Sequence, residues 1–153
     1  MHYYLKLIGT AEDPLPVNWI QARPEVLNGV RFGGDKPPPM RKGDVLVYYA
    51  VGSQRLVGIL DVLSDRPTKD NPPSEPWTPE KKFRWPWWIG LRKRVLLPAD
   101  ERAPHATSVG IDVRQLRQKS YLPIIPDTFR KMEAAIEQAE RRMNEKGSAK
   151  KEG

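Results

Sequence analysis

The chain opens on His2 to Ile8, a run of aromatic and aliphatic side chains stopped by Gly9, which predicts a strand set in the core with Lys6 in its middle. After a polar loop with Pro14 and Pro16, Asn18 is placed to cap a short helix from Trp19, and Glu25 to Leu27 add another turn before Asn28-Gly29. The stretch VRFGGDKPPPMRKGD joins a Gly-Gly pair, three prolines and a Lys-Gly-Asp turn, and it reads as a loop held to one path. Val45 to Val51 is seven apolar or aromatic residues in succession. That is too short for a typical helix and predicts a strand buried on both faces. Gly52-Ser53-Gln54 then turns into a second strand, Arg55 to Leu63, closing an antiparallel hairpin.

Ser64 to Pro79 holds five prolines and little apolar material, so it predicts a long surface excursion. From Trp87 to Leu97 the strand pattern returns, with Trp87, Ile89, Leu91, Val95 and Leu97 on one face and Trp88, Arg92 and Arg94 on the other. Pro86 fits only the start of such a strand or an edge. Gly110 to Gln118 predicts one or two helical turns and Ser120 to Ile125 a last short strand. Asp127 then caps a helix whose apolar positions Phe129, Met132, Ile136, Ala139 and Met143 recur at intervals of three and four. With no internal repeat, the pattern predicts one domain over residues 1–146 and a disordered charged tail over 147–153.

At 153 residues the chain is long enough for one real core without disulfides or metals. Its 16 prolines, about twice the usual share, fit long ordered loops. There is no cysteine, which removes a disulfide framework and a thiol nucleophile and points to a cytoplasmic protein. No stretch reaches the roughly 18 apolar residues a membrane helix needs, so no membrane partner is expected. His2 and His105 are too far apart in sequence to form a recognised metal spacing, and the glycines at 29, 33 and 34 lead into prolines, not into a phosphate-binding helix. The expectation is therefore no metal, no cofactor and no catalytic residue.

The densest chemical signal lies between Lys81 and Arg94, KKFRWPWWIGLRKR. It holds Lys81, Lys82, Arg84, Arg92, Lys93 and Arg94 with three tryptophans and no acidic residue, in a chain of net charge +7. Clustered cations neutralise phosphates, and exposed rings stack on bases. The bland alternative buries the tryptophans in the core and leaves the cations solvated. Strand alternation sends Tyr48 and Tyr49 to opposite faces, and likewise Trp87 and Trp88, so one of each pair can line a pocket. Arg31, beside Phe32 and ahead of Gly33-Gly34, is a candidate polar partner for a base edge.

The order of these pieces resembles the EVE domain, a member of the PUA-like superfamily related to the YTH readers of methylated RNA. YYLKLIGTAED is similar to that family's opening strand, NGVRFGGDKPPPMRKGDVLVYYAV to its arginine-bearing loop and aromatic-ending strand, LVGILDVLSD and PWWIGLRKRVLLP to its next two strands, and YLPIIPDTFRKMEAAI to its closing strand and helix. The resemblance spans about residues 2–140. Phe32 stands where the family often has asparagine, and Gly90-Leu91-Arg92 where it often has an acidic residue.

The resemblance implies an α+β fold, a PUA-like open β-barrel with peripheral helices and a C-terminal amphipathic helix. It also implies a noncatalytic module that reads a modified base, such as methylated cytosine or adenine, in DNA or RNA. Base-binding positions fall on Lys6, Arg31, Phe32, Tyr49 and Trp87 or Trp88, with the cations of residues 81–94 on the nucleic-acid backbone. Two alternatives stay open: an ASCH-like enzyme using Lys6 on a nucleoside or RNA, and a basic scaffold for an acidic protein partner.

Overall fold

The computed structural model of the protein describes residues 1–69, 84–116 and 119–152, the last six of these by backbone alone. Six strands form one sheet: β1 (Tyr3–Ile8), β2 (Gly29–Phe32), β3 (Val45–Ala50), β4 (Arg55–Val62), β5 (Trp87–Leu96) and β6 (Tyr121–Ile124), in the order β2-β5-β4-β3-β1-β6. The pairs are antiparallel except β1 with β3, where Lys6 lies opposite Tyr48. β2 and β6 are the outermost strands, yet Phe32 of one and Tyr121 of the other touch edge to face with centroids 5.8 Å apart. Their contact requires the sheet to curl into an open half-barrel, which brings the two edges together and protects them from further pairing.

Around the sheet lie helix α1 (Trp19–Ala22), three short 3₁₀ turns (Pro24–Val26, Ala106–Val109, Val113–Leu116) and the C-terminal helix α2 (Pro126–Glu152). The architecture is α+β, as the resemblance to the PUA-like superfamily implies. α2 starts on Pro126, whose missing N–H costs nothing in a first turn. Its stripe of Phe129, Met132, Ile136 and Ala139 is buried, and Phe129 stacks on Tyr3 at 4.1 Å. The helix continues to Glu152, past Gly147, where the sequence places the start of a tail.

Pairing sorts the strand residues into two faces. The inner, concave face carries Tyr4, Lys6, Leu46, Tyr48, Leu60, Ile89, Trp87, Val30 and Phe32; the outer face, partly covered by α2, carries Leu5, Val47, Tyr49, Ile59, Asp61, Arg92, Trp88 and Arg31. All six residues of β3 are buried, because both faces of this strand are packed.

Two local features depart from the sequence reading. Gly29–Phe32, read as part of a loop, is strand β2, whose partner β5 lies far downstream. A four-residue strand between glycines has too little alternation to declare itself. In β5 the pairing with β4 shifts beyond Lys93, leaving Arg94 as an extra residue, so the alternation expected from Trp87 to Leu97 is broken by a bulge. Most of the proline-rich excursion, residues 70–79, lies outside the described residues.

Candidate nucleic-acid interface

The Gly33-Gly34 bend ends β2 and is framed by tryptophans. Gly34 has a left-handed φ of 95°, which a side chain would make costly. A Cβ on Gly33 would stand 3.2 Å from the Arg84 carbonyl oxygen and 3.4 Å from the Trp85 ring, so the glycine lets that segment close on the bend. The half-buried Trp87 donates its indole N–H to the Gly34 oxygen at 3.2 Å, which orients its ring. The Arg84 guanidinium lies 5.7 Å from the centroid of Trp85, and the Lys69 ammonium 4.8 Å from that of Trp87. Rings and cations alternate around one exposed bend.

Behind Trp87 on the concave face lies a buried polar group. Phe32 pairs with Trp87 across β2 and β5, and the Lys6 ammonium sits 4.6 Å over the Phe32 ring. Lys6 is 6% exposed and donates to the Ser120 hydroxyl at 2.9 Å and, at 3.4 Å, to the Ser120 carbonyl. Burial disfavours the charged amine and pulls its pKa down to about 7. Among the described residues no carboxylate pairs with it.

The six base-binding candidates therefore divide. Lys6, Phe32 and Trp87 share the concave face and form one chain of contacts. Arg31 and Trp88 face each other across β2 and β5 on the outer face. Arg31 is buried and directs a guanidinium N–H to the Trp85 carbonyl at 3.4 Å, bracing the segment that carries the tryptophans. Trp88 lies across Gly29, where a Cβ would come within 2.4 Å of its ring. Tyr49 does not join either group. Alternation sets it on the outer face in register with Leu7, where burial raises its pKa. Tyr48 is the tyrosine on the side of Lys6, and it is core: its hydroxyl donates to the Val26 carbonyl at 2.7 Å and its ring meets Trp19.

The basic candidates divide as well. Lys81 and Lys82 lie outside the described residues. Arg84 and Lys93 are exposed. Arg94 is committed elsewhere: it grips Asp61 through two nitrogens, the shortest contact being 2.6 Å, and reaches Glu133 of α2 at 3.3 Å. The Arg94 hydrogen bonds hold the Asp61 carboxyl below the usual carboxylate range and raise the Arg94 pKa in turn. Among the described residues Arg92 makes only a long contact to Asp61, 3.4 Å, and its side chain is 69% exposed. Of this triplet, Arg92 and Lys93 can turn to a phosphate, whereas Arg94 ties the sheet to α2.

Lys69 and Ser120 escaped the sequence reading. No periodicity signals either one, because both reach the site through backbone pairing: Thr68 exchanges two hydrogen bonds with Trp88, 2.7 and 3.0 Å, and Ser120 leads into β6 beside Lys6. A cavity of about 100 Å³ at the start of β1, lined by Met1, His2, Tyr3, Tyr4, Pro123, Ile124 and Pro126, contains none of the candidates. Among the described residues no helix is long and apolar enough to cross a membrane, and no cluster of His, Cys, Asp or Glu could hold a metal ion.

No family profile matches the chain, and no curated protein matches it in sequence. Solved structures do match it in shape. The YTH domain of Mmi1, solved in complex with RNA, superposes with a TM-score of 0.62 at 9% identity over 93% of this chain and 81% of its own. The fold is YTH-like. A Rhodopseudomonas palustris protein solved by NMR gives 0.57 at 15% identity over 90% of this chain and 94% of its own. The YTH domain of the Zygosaccharomyces rouxii MRB1 protein, solved with N6-methyladenosine RNA, gives 0.50 at 14% identity over 86% and 83%. At these identities the YTH-like comparison concerns the fold, and the side chains of this site must speak for themselves.

Proposed function

We propose that the protein is a noncatalytic reader of single-stranded RNA, an EVE-type member of the PUA-like superfamily, which stacks a modified base such as methylated cytosine or adenine on Trp87 while neighbouring cations hold the phosphates. The observation that carries this reading is the Gly33-Gly34 bend, where Trp85 and Trp87 stand with Arg84 and Lys69 beside their rings. A base offers a π face to such a ring whatever its identity, and it must leave its own stack to do so, which favours unpaired RNA. The YTH-like fold supports the reading, since YTH domains with this fold were solved bound to RNA.

The enzymatic alternative rests on Lys6, an amine close to neutral at physiological pH and hence able to accept a proton. Acid/base work on a nucleoside would need a second group beside it. The hydroxyl of Ser120 is the side-chain partner Lys6 has among the described residues, and a hydroxyl hydrogen-bonded to an amine holds the amine in place without supplying a carboxylate.

A panel of RNA and DNA oligonucleotides of one sequence, carrying cytosine, adenine or their methylated forms, tests the reading through tryptophan fluorescence. The reading expects salt-dependent binding to all RNA members and tighter binding to one modified member. Equal affinity across the panel would reduce the protein to a basic surface, and conversion of any oligonucleotide, followed by mass, would establish the enzyme.

A further inference from the structure

One face of the Trp87 ring, the ring proposed above to receive a base, is already covered by Lys69. Leu63 donates its backbone N–H to the Gly90 oxygen at 2.9 Å, the Gly90 N–H donates to the Ser64 hydroxyl at 2.7 Å, and Thr68 makes an antiparallel bridge to Trp88. The segment 63–69 is thus fastened along β5 at both ends. In an antiparallel ladder, pairing Thr68 with Trp88 sets residue 69 opposite residue 87 on the same face. The backbone itself delivers the Lys69 ammonium to the Trp87 ring at 4.8 Å. An aromatic base stacked on that face would need the same space.

Building on the reader assignment above, we propose that Lys69 is a displaceable cap on Trp87: an incoming base takes its place on the ring, and the released ammonium moves to a flanking phosphate. An exposed cation–π contact is weaker than base stacking, so the exchange runs toward the base, and the phosphate repays the cation for the ring it loses. Lys69 thereby makes recognition depend on a nucleotide within a strand. A free nucleoside must displace the same cap with no adjoining phosphate to receive it.

The test compares wild type with Lys69→Ala and Lys69→Arg, using free 5-methylcytidine and N6-methyladenosine as well as oligoribonucleotides carrying those bases. Lys69→Ala is expected to bind the nucleosides about 2- to 5-fold tighter, the fold-change equivalent of an exposed cation–π contact. It should bind the oligonucleotides with a slope of log affinity against log salt flatter by about 0.7. Lys69→Arg should keep the wild-type slope. Acrylamide quenching without ligand should rise in Lys69→Ala, and the rise should vanish in a Trp87→Phe background. Nucleoside affinity unchanged or weakened in Lys69→Ala, or no change in quenching, would overturn the cap while leaving wild-type RNA binding intact. Failure of the wild type to bind any oligonucleotide, by contrast, would defeat the reader assignment itself.

Discussion

Lys6 is a buried amine with no carboxylate partner among the described residues, held by Ser120 and the Phe32 ring. A lysine buried without a carboxylate binds its proton less well in the folded protein than in the unfolded chain, because burial moves its pKa from 10.5 to about 7. The unfolded state therefore holds more protons between those two values, and stability contributed by this group must rise as pH rises from 7 toward 10.5. Below pH 7 both states carry the charge and the full penalty, a few kcal/mol, is present. Lys6→Met should consequently raise stability at pH 7 and remove this part of the rise between pH 7 and 10, as read by urea denaturation at several pH values. A variant no more stable than wild type would mean that the bonds to Ser120 and the Phe32 contact offset the burial.

At the scale of elements, the two sides of β5 do different work. Its Trp88 ring is seated on Gly29 of β2, and a Cβ there would overlap the ring, so Gly29→Ala should cost on the order of 1–3 kcal/mol and perturb tryptophan emission. Unaltered stability and emission would contradict the packing of these strands. On the other side, Arg94 joins β4 to α2 through Asp61 and Glu133. A double-mutant cycle on Arg94 and Asp61 should give about 0.5–1 kcal/mol, allowing for their partial exposure. The coupling should be present at neutral pH and disappear as acid protonates Asp61 through its lowered pKa. Arg94→Ala should leave the salt slope for RNA unchanged, whereas Arg92→Ala should flatten it by about 0.7. Equal slopes for the two variants would reject this division.

The whole molecule shows what a sequence can carry and what it cannot. Strands β1, β3, β4 and β5, the apolar run around β6 and helix α2 are legible because each carries a continuous apolar run or a period, as in VLVYYA or the Phe129-Met132-Ile136 stripe. β2 is not, since four residues between glycines become a strand only when β5 lies beside them. The same limit divides the site. Arg31, Phe32, Trp87 and Trp88 are visible as an aromatic and cationic set, but their distribution over two faces depends on a pairing that joins residues far apart in sequence. Lys69 and Ser120 enter through other long-range pairings, Thr68 with Trp88 and β6 with β1.

The proposed reader function requires Trp87 to be the ring that would receive the base, with the phosphates held separately by cations in a protein of net charge +7. The direct measurement is the affinity of wild type and Trp87→Ala for two oligoribonucleotides that differ only in the preferred modification, across a salt series and with thermal denaturation of both proteins. The account predicts that Trp87→Ala remains folded, loses about 5- to 150-fold in affinity for the modified strand, falls toward its affinity for the unmodified one, and keeps the wild-type salt slope. A folded Trp87→Ala protein that still prefers the modified strand by the wild-type margin would contradict it.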